Sequence, residues 1–303
     1  MTKKILKVWN FWVDGMLYHD QYLDRYMRQK GITTYFCCPN FAPESFKNYI
    51  TTSKHMPGDF KLLWMDYINL IGKPFTYNIF QMARYLKKIN PDIIHIFGIS
   101  NFTTILTFIA IILTRYQGDI YVNDHSDPNN RNRSLLGKFY LQFFRSIFNL
   151  FKYKINLIIV PDEASKNELK SRYGNKIYSK LKIIPLGYDS NIYYYKPDQD
   201  RYSGNTLNIG FAGKINKSKN LDLLLDCIEK VKVGSVSLEI AGFRNLQASN
   251  YEYELLERVT KSKHNIKCSK FIQSPADLAT FYRSKDLIIF PGSISITTLE
   301  ATG

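Results

Sequence analysis

The ten residues from Phe211 to Asn220, F-A-G-K-I-N-K-S-K-N, place one glycine and three lysines between two apolar segments. The run Leu207 to Ile209 before them reads as a strand, and the pattern from Leu221, L-D-L-L-L-D-C-I-E-K, reads as a helix. A strand, a glycine-led loop and a helix start make a geometry for holding an anion. Gly213 lets the backbone approach a ligand closely. The helix start aims backbone N–H groups and the positive end of its dipole at the loop. Lys214 and Lys219 add point charges. A diphosphate suits this arrangement better than a carboxylate, because it carries more charge over a longer span. The loop by itself leaves a second reading open, a solvated polar loop that lysines decorate.

The elements around the loop indicate what positions it. The 303 residues have room for two domains. Apolar strand-like runs alternate with helical patterns, which is the signature of α/β architecture. The first series has strands at 5–9, 33–38, 92–97, 119–123, 157–160 and 182–185, with a helix at 18–30 that ends at Gly31. The stretch from Gly187 to Asn205 is rich in turn formers and has no period, and reads as a linker. The second series has strands at 207–212, 236–241, 266–272 and 286–290 and helices at 221–232, 250–262 and 276–284. The domains are therefore expected at 1–186 and 207–303, joined by 187–206, as two doubly wound halves. Ligands of such sheets bind beyond the carboxyl ends of the strands, and the default site is a cleft between the halves. The formal charge of +15 favours anionic partners: nucleic acid, an acidic membrane surface or phosphorylated substrates. A lysine-rich proteome gives the same balance. Cys37, Cys38, Cys227 and Cys268 have no zinc-ligand spacing, so a reducing cytosol is expected. The N-terminus has no signal-peptide pattern. The run Phe102 to Thr114 is shorter than the ~20 residues that span a bilayer, and reads as a buried helix.

Several segments, taken in order, carry a resemblance. They are Gly213-Lys214-x4-Lys219, L-E-I-A-G-F (238–243) and F-Y-R-S-K-D-L-I-I-F-P-G…L-E-A-T-G (281–303). In the first half they are P-D-I-I-H-I-F-G (91–98), V-P-D-E-A-S-K-N-E-L (160–169) and K-I-I-P-L-G-Y-D (182–189). Together they resemble GT-B glycosyltransferases of the family 4 type over nearly the whole chain. The resemblance implies two Rossmann-like domains facing a cleft. It also implies retaining transfer of a hexose-type sugar from a nucleoside diphosphate donor, taken as a UDP-sugar, to a glycan or lipid-linked glycan acceptor. Bacterial surface polysaccharide assembly is the expected setting, with neither metal nor cofactor. The resemblance puts Lys214 and Lys219 on the donor diphosphate, where fixed cations stabilise leaving-group charge. It puts Glu300 on the donor ribose, whereas a carboxylate at a helix N-terminus is the alternative. His125, in Y-V-N-D-H-S-D, matches a histidine that faces donor and acceptor. Its imidazole can donate a hydrogen bond to a phosphate or a sugar hydroxyl, and the alternative is a loop histidine held by Asp124 or Asp127. Gly15 partly matches a glycine loop near donor and acceptor; His19 and Asp20 follow on the next helix, where they face the acceptor or, alternatively, solvent or a helix-capping role. His95, in mid-strand, reads as a core histidine.

Two features depart from the family pattern. Gly292 stands eight residues before Glu300, where the family has a glutamate that approaches the donor sugar. Sugar contacts then fall to backbone N–H groups and to Ser293 or Ser295. The chain also ends at L-E-A-T-G, where the fold normally continues, so the second domain is expected to be incomplete and an apolar face and strand edge exposed. One further segment points to a membrane. Arg131 to Lys154 holds six Lys/Arg and no Asp/Glu among Leu, Phe, Tyr and Ile. Such a helix can lie on an anionic surface, or pack its aromatic face on the sheet. The expected location is cytoplasmic, with peripheral attachment to the inner face of the cell membrane. Two other functions stay open: an inactive nucleotide-binding relic, and a basic nucleic-acid-binding protein. Against the latter, there is no helix-turn-helix, RNP or KH signature.

Overall fold

The structure is a computed structural model that describes residues 2–9, 19–39, 61–70, 73–125, 135–195, 206–232, 234–244, 248–292 and 296–303. These fall into two compact units that divide between Pro185 and Leu186.

In the first unit the chain runs β1 (Lys4–Val8), α1 (His19–Gln29), β2 (Thr33–Pro39) and β3 (Lys61–Met65). A hairpin, β4 (Tyr67–Leu70) and β5 (Lys73–Tyr77), leads into α2 (Ile79–Ile89). There follow β6 (Ile93–Phe97), α3 (Phe102–Thr114), β7 (Asp119–Asn123), α4 (Leu135–Phe151), β8 (Leu157–Val160), α5 (Glu163–Tyr173) and β9 (Leu181–Ile183). Seven parallel strands lie in the order β3-β2-β1-β6-β7-β8-β9. Both sheet faces are covered at the centre: Leu6, Lys7 and Val8 are all fully buried in β1, as befits a parallel sheet. Lys7 sits beside Phe36 and His95 in register and lies 5.5 Å from the Phe36 ring centroid.

The second unit has β10 (Thr206–Ala212), α6 (Leu221–Glu229), β11 (Ser235–Phe243), α7 (Asn250–Thr260), β12 (Asn265–Lys270), α8 (Pro275–Arg283), β13 (Leu287–Ile288) and the short α9 (Ile296–Glu300). Its four parallel strands lie in the order β12-β11-β10-β13. The core is Ile209, Phe211, Leu238 and Ile240 from the strands, with Leu224, Leu225 and Leu255 from the helices. The strand expected at 286–290 is shorter. Its ladder closes with Ile289 N donating to Gly210 O, and Pro291 follows with no N–H to continue it. This last strand is at the sheet edge, with Leu287 exposed.

In each unit the strand order reverses direction once. The chain builds β1, β2 and β3 to one side and then places β6 on the other. It builds β10, β11 and β12 to one side and places β13 on the other. The crevice beyond the carboxyl ends of β1/β6, and of β10/β13, is where a doubly wound sheet leaves room for a ligand.

Candidate nucleotide-binding site

The lysine loop stands at the carboxyl end of β10, beside that reversal. Two buried anchors fix it: Ile215 within the loop and Leu221 at the start of α6. Between them Lys217–Lys219 forms one tight turn, with Lys219 N donating to Asn216 O and Asn220 N to Lys217 O. Asn220 takes a left-handed conformation and does not cap α6 with its side chain. Gly213 has φ +155°, and its N–H donates to Ala241 O of β11. A Cβ on Gly242 would overlap the carbonyl oxygen of Gly213, so glycine at 242 lets the ends of β10 and β11 meet.

Burial brings the two cations together. Lys219 is 9% exposed. Desolvation pushes the Lys214 ammonium down to about 8, and the neighbouring charge of Lys219 pushes the same way. Burial also lowers Lys219. Two crowded, partly desolvated ammonium groups at a helix start are stabilised by an anion placed between them.

Gly292, which stands where a glutamate was expected, follows β13 and closes against this loop. A Cβ there would overlap Ser218 O and lie 2.6 Å from the Lys219 carbonyl carbon. The close approach of two backbones thus accounts for the departure at this position. From the other side α9 packs near the loop, since the Thr297 hydroxyl would be 3.8 Å from a Cβ on Gly213.

Glu300 is the last residue of α9, not the first, so the helix dipole does not favour its charge. The alternative of a dipole-stabilised N-terminal carboxylate does not hold. The group is buried, and burial raises its carboxyl to about 7 against a hydrogen bond from Tyr193 that pulls it down. Glu300, Tyr193, Tyr194, Tyr282, Arg283 and Ala301 line a shared recess. Tyr282 donates to Thr297 O at 3.1 Å, and Arg283 lies 5.0 Å from the Tyr194 ring. Tyr193 comes from the segment read as linker. There Asp189 folds a turn that accepts from Ile192 and Tyr193 N and buries the Tyr193 ring. Beyond β11, Glu252 accepts from Arg244 N and Ser249 N and completes a capping box with Ser249 on α7. The Ser-x-x-Glu spacing signals this box in the sequence; the Tyr193–Glu300 contact has no such signal.

In the first unit, His125 follows β7 and is exposed. Its ring meets Phe97 edge-on at 5.3 Å, and Phe97 stacks on Trp9 at 5.6 Å. These aromatics mark the carboxyl ends of β7, β6 and β1, at the reversal of strand order. The Asp124 carboxylate accepts from Ile99 N at 2.7 Å. His95 lies in mid-strand, half-buried. His19 opens α1. Gly15, Ser293, Ser295 and Asp127 lie outside the described residues.

Two doubly wound units, each with candidate residues at its strand reversal, define the GT-B class. Similarity to solved structures spans both units. Anabaena HepE, solved in complex with UDP-glucose, matches with a TM-score of 0.65 at 17% identity, over 98% of this chain and 77% of that one. A glycosyltransferase from Rickettsia africae matches with a TM-score of 0.65 at 16% identity, over 96% and 73%. The sequence signature of Glycosyltransferase Family 4 matches residues 13–191, and the chain belongs to that family. A protein of Thermosipho melanesiensis described as "Probable sucrose-phosphate synthase" is 29% identical over 126 residues, which is 41% of this chain and 28% of that protein.

Proposed function

We propose that the chain is a glycosyltransferase that moves a hexose-type sugar from a UDP-sugar to a glycan or lipid-linked glycan acceptor, with retention of configuration. The observation that carries the reading is the desolvated pair Lys214 and Lys219 at the carboxyl end of β10. Breaking the sugar–phosphate bond leaves negative charge on the diphosphate, and two fixed cations at a helix start stabilise that charge as it develops. They supply what a divalent cation would, so transfer is metal-independent. Glu300, ionised, accepts the ribose hydroxyls. His125 donates to a phosphate or sugar hydroxyl. Gly15 and His19 are assigned to the acceptor, and Ser293 and Ser295 to the donor sugar. The UDP-glucose complex of HepE, a structural relative, supports the choice of nucleotide. Surface polysaccharide assembly in a bacterial cytoplasm is the setting, with residues 1–186 on the acceptor side and 207–303 on the donor side.

Calorimetric titration with UDP, GDP and ADP tests the donor site, using wild type beside Lys214→Ala/Lys219→Ala. Micromolar binding of UDP that collapses in the double variant is the expected result. A cooperatively folded wild type that binds none of the three would overturn it. Gly292 favours a second reading, nucleotide binding without transfer, since no carboxylate reaches the sugar from that position. UDP binding with no turnover of any UDP-sugar, on any offered acceptor, would select it.

A further inference from the structure

α4 carries two apolar faces. The inner one is Phe144, which meets Phe102 edge-on at 5.3 Å, and Phe148, which lies 4.7 Å from Tyr173. The outer one is Phe139, Phe143 and Leu150, spaced four and seven residues apart along one stripe. Tyr153, in the turn Lys152–Lys154, continues that side of the chain. Phe139 is 74% exposed and Tyr153 70%. Lys138, Arg145 and Lys152 recur every seven residues, which places them in a line beside the stripe, and Lys154 extends the charge. Ring contacts of Phe102 with Phe143 and of Phe108 with Phe151 set α3 and α4 side by side and parallel. Their carboxyl ends therefore lie together, and Ile112 and Leu113, both exposed, enlarge the apolar surface beyond Phe151.

We propose that this outward face of α4, with the end of α3, docks on an anionic lipid bilayer. Charge selects the occupant. The 24 residues from Arg131 to Lys154 contain no carboxylate, so the surface complements anionic headgroups. A second copy of the chain brings a formal charge of +15 and the same basic line, and is repelled. Aromatic rings flanked by cations along one helix suit the boundary between headgroups and acyl chains, with the helix axis in the membrane plane. Among the described residues no helix is long and apolar enough to cross a membrane. The surface stands independently of the transfer reaction, although it suits an acceptor carried on a lipid.

Co-sedimentation of the 303-residue chain with phosphatidylcholine vesicles, with and without phosphatidylglycerol, tests the inference. Binding only to the anionic vesicles, weakening about fivefold for each of Lys138, Arg145 and Lys154 changed to glutamine, is expected. Phe139→Ser/Leu150→Ser/Tyr153→Ser is expected to weaken it roughly tenfold or more, with an unchanged thermal midpoint because all three are exposed. No binding to anionic vesicles, equal binding to neutral ones, or full binding by both sets of variants would each overturn it. So would a concentration-dependent dimer that the triple serine variant dissolves. UDP affinity without vesicles should be the same in all these variants, which separates failure here from failure of the donor site.

Discussion

Placed on the donor diphosphate as proposed, the Lys214 ammonium, held down at about 8 by burial and by Lys219, should make donor binding depend on pH. In the free protein its folded pKa lies below the ordinary 10.5. Between these values the unfolded chain holds a proton that the folded chain has shed, so stability rises with pH across the window. A diphosphate reverses the balance by favouring the charged form. Donor binding then takes up a proton above pH 8 and weakens as pH rises. With a pKa of 8, Lys214 is about nine-tenths protonated at pH 7 and about one-tenth at pH 9, so Kd rises about tenfold. Burial lowers Lys219 as well. UDP-glucose is the proper probe, because its esterified diphosphate has no proton to lose in this range. Calorimetry from pH 7 to 9 should give that slope for wild type and a weaker, flatter profile for Lys214→Met. Without ligand, Lys214→Met should stabilise the fold at pH 7 by on the order of 1–3 kcal/mol, because a desolvated charge is gone. Wild-type affinity that stays constant from pH 7 to 9, or a Lys214→Met variant with the same slope as wild type, would refute the reasoning.

Gly292→Ala drives a methyl into the backbone at Ser218 and Lys219. It should destabilise the second unit by about 1–3 kcal/mol and weaken UDP binding, read from thermal melts and calorimetry. Tyr193→Phe removes the bond that lowers the Glu300 carboxyl, so its pKa moves up from about 7. If the ionised carboxylate holds the donor ribose as proposed, the acidic fall of UDP-glucose affinity should begin at a higher pH than in wild type. If the lysine pair carries the leaving-group charge as proposed, transfer measured with EDTA in place of added divalent cations should keep its rate.

The alternation of strands and helices was legible because buried parallel strands form short apolar runs, as at Ile93–Phe97 and Leu157–Val160. Residues 61–89 gave less. The hairpin β4–β5 is short, and α2 begins at an asparagine cap, Asn78, whose side chain accepts from Phe80 N. The lysine loop was readable because glycine, charge and helix start lie within ten residues. The holding of Glu300 was not, because Tyr193 reaches it from 107 residues away, within a segment whose composition spells only turns. The run Phe102–Thr114 read as a buried helix, yet Ile112 and Leu113 are exposed on it. Hydropathy alone does not tell an inward face from one that waits for another apolar phase.

Gly292 joins the strand order to the electrostatics of the loop. Because β13 lies next to β10, the chain leaving it must pass the lysine loop, and here it passes backbone against backbone at Ser218 and Lys219. A glutamate cannot occupy that path without moving the loop. If it did, its carboxylate would lie beside Lys219 and offset part of the positive field. Glycine leaves the loop without that acidic neighbour, and burial, with the charge of Lys219 added, keeps Lys214 near 8. On the proposed reading, the same residue tightens the seat for a diphosphate and removes a carboxylate from the place where a sugar would be held. On that reading, the loop between β10 and α6 sets the strength of nucleotide binding, and the backbone path through Gly292 leaves recognition of the sugar to other residues.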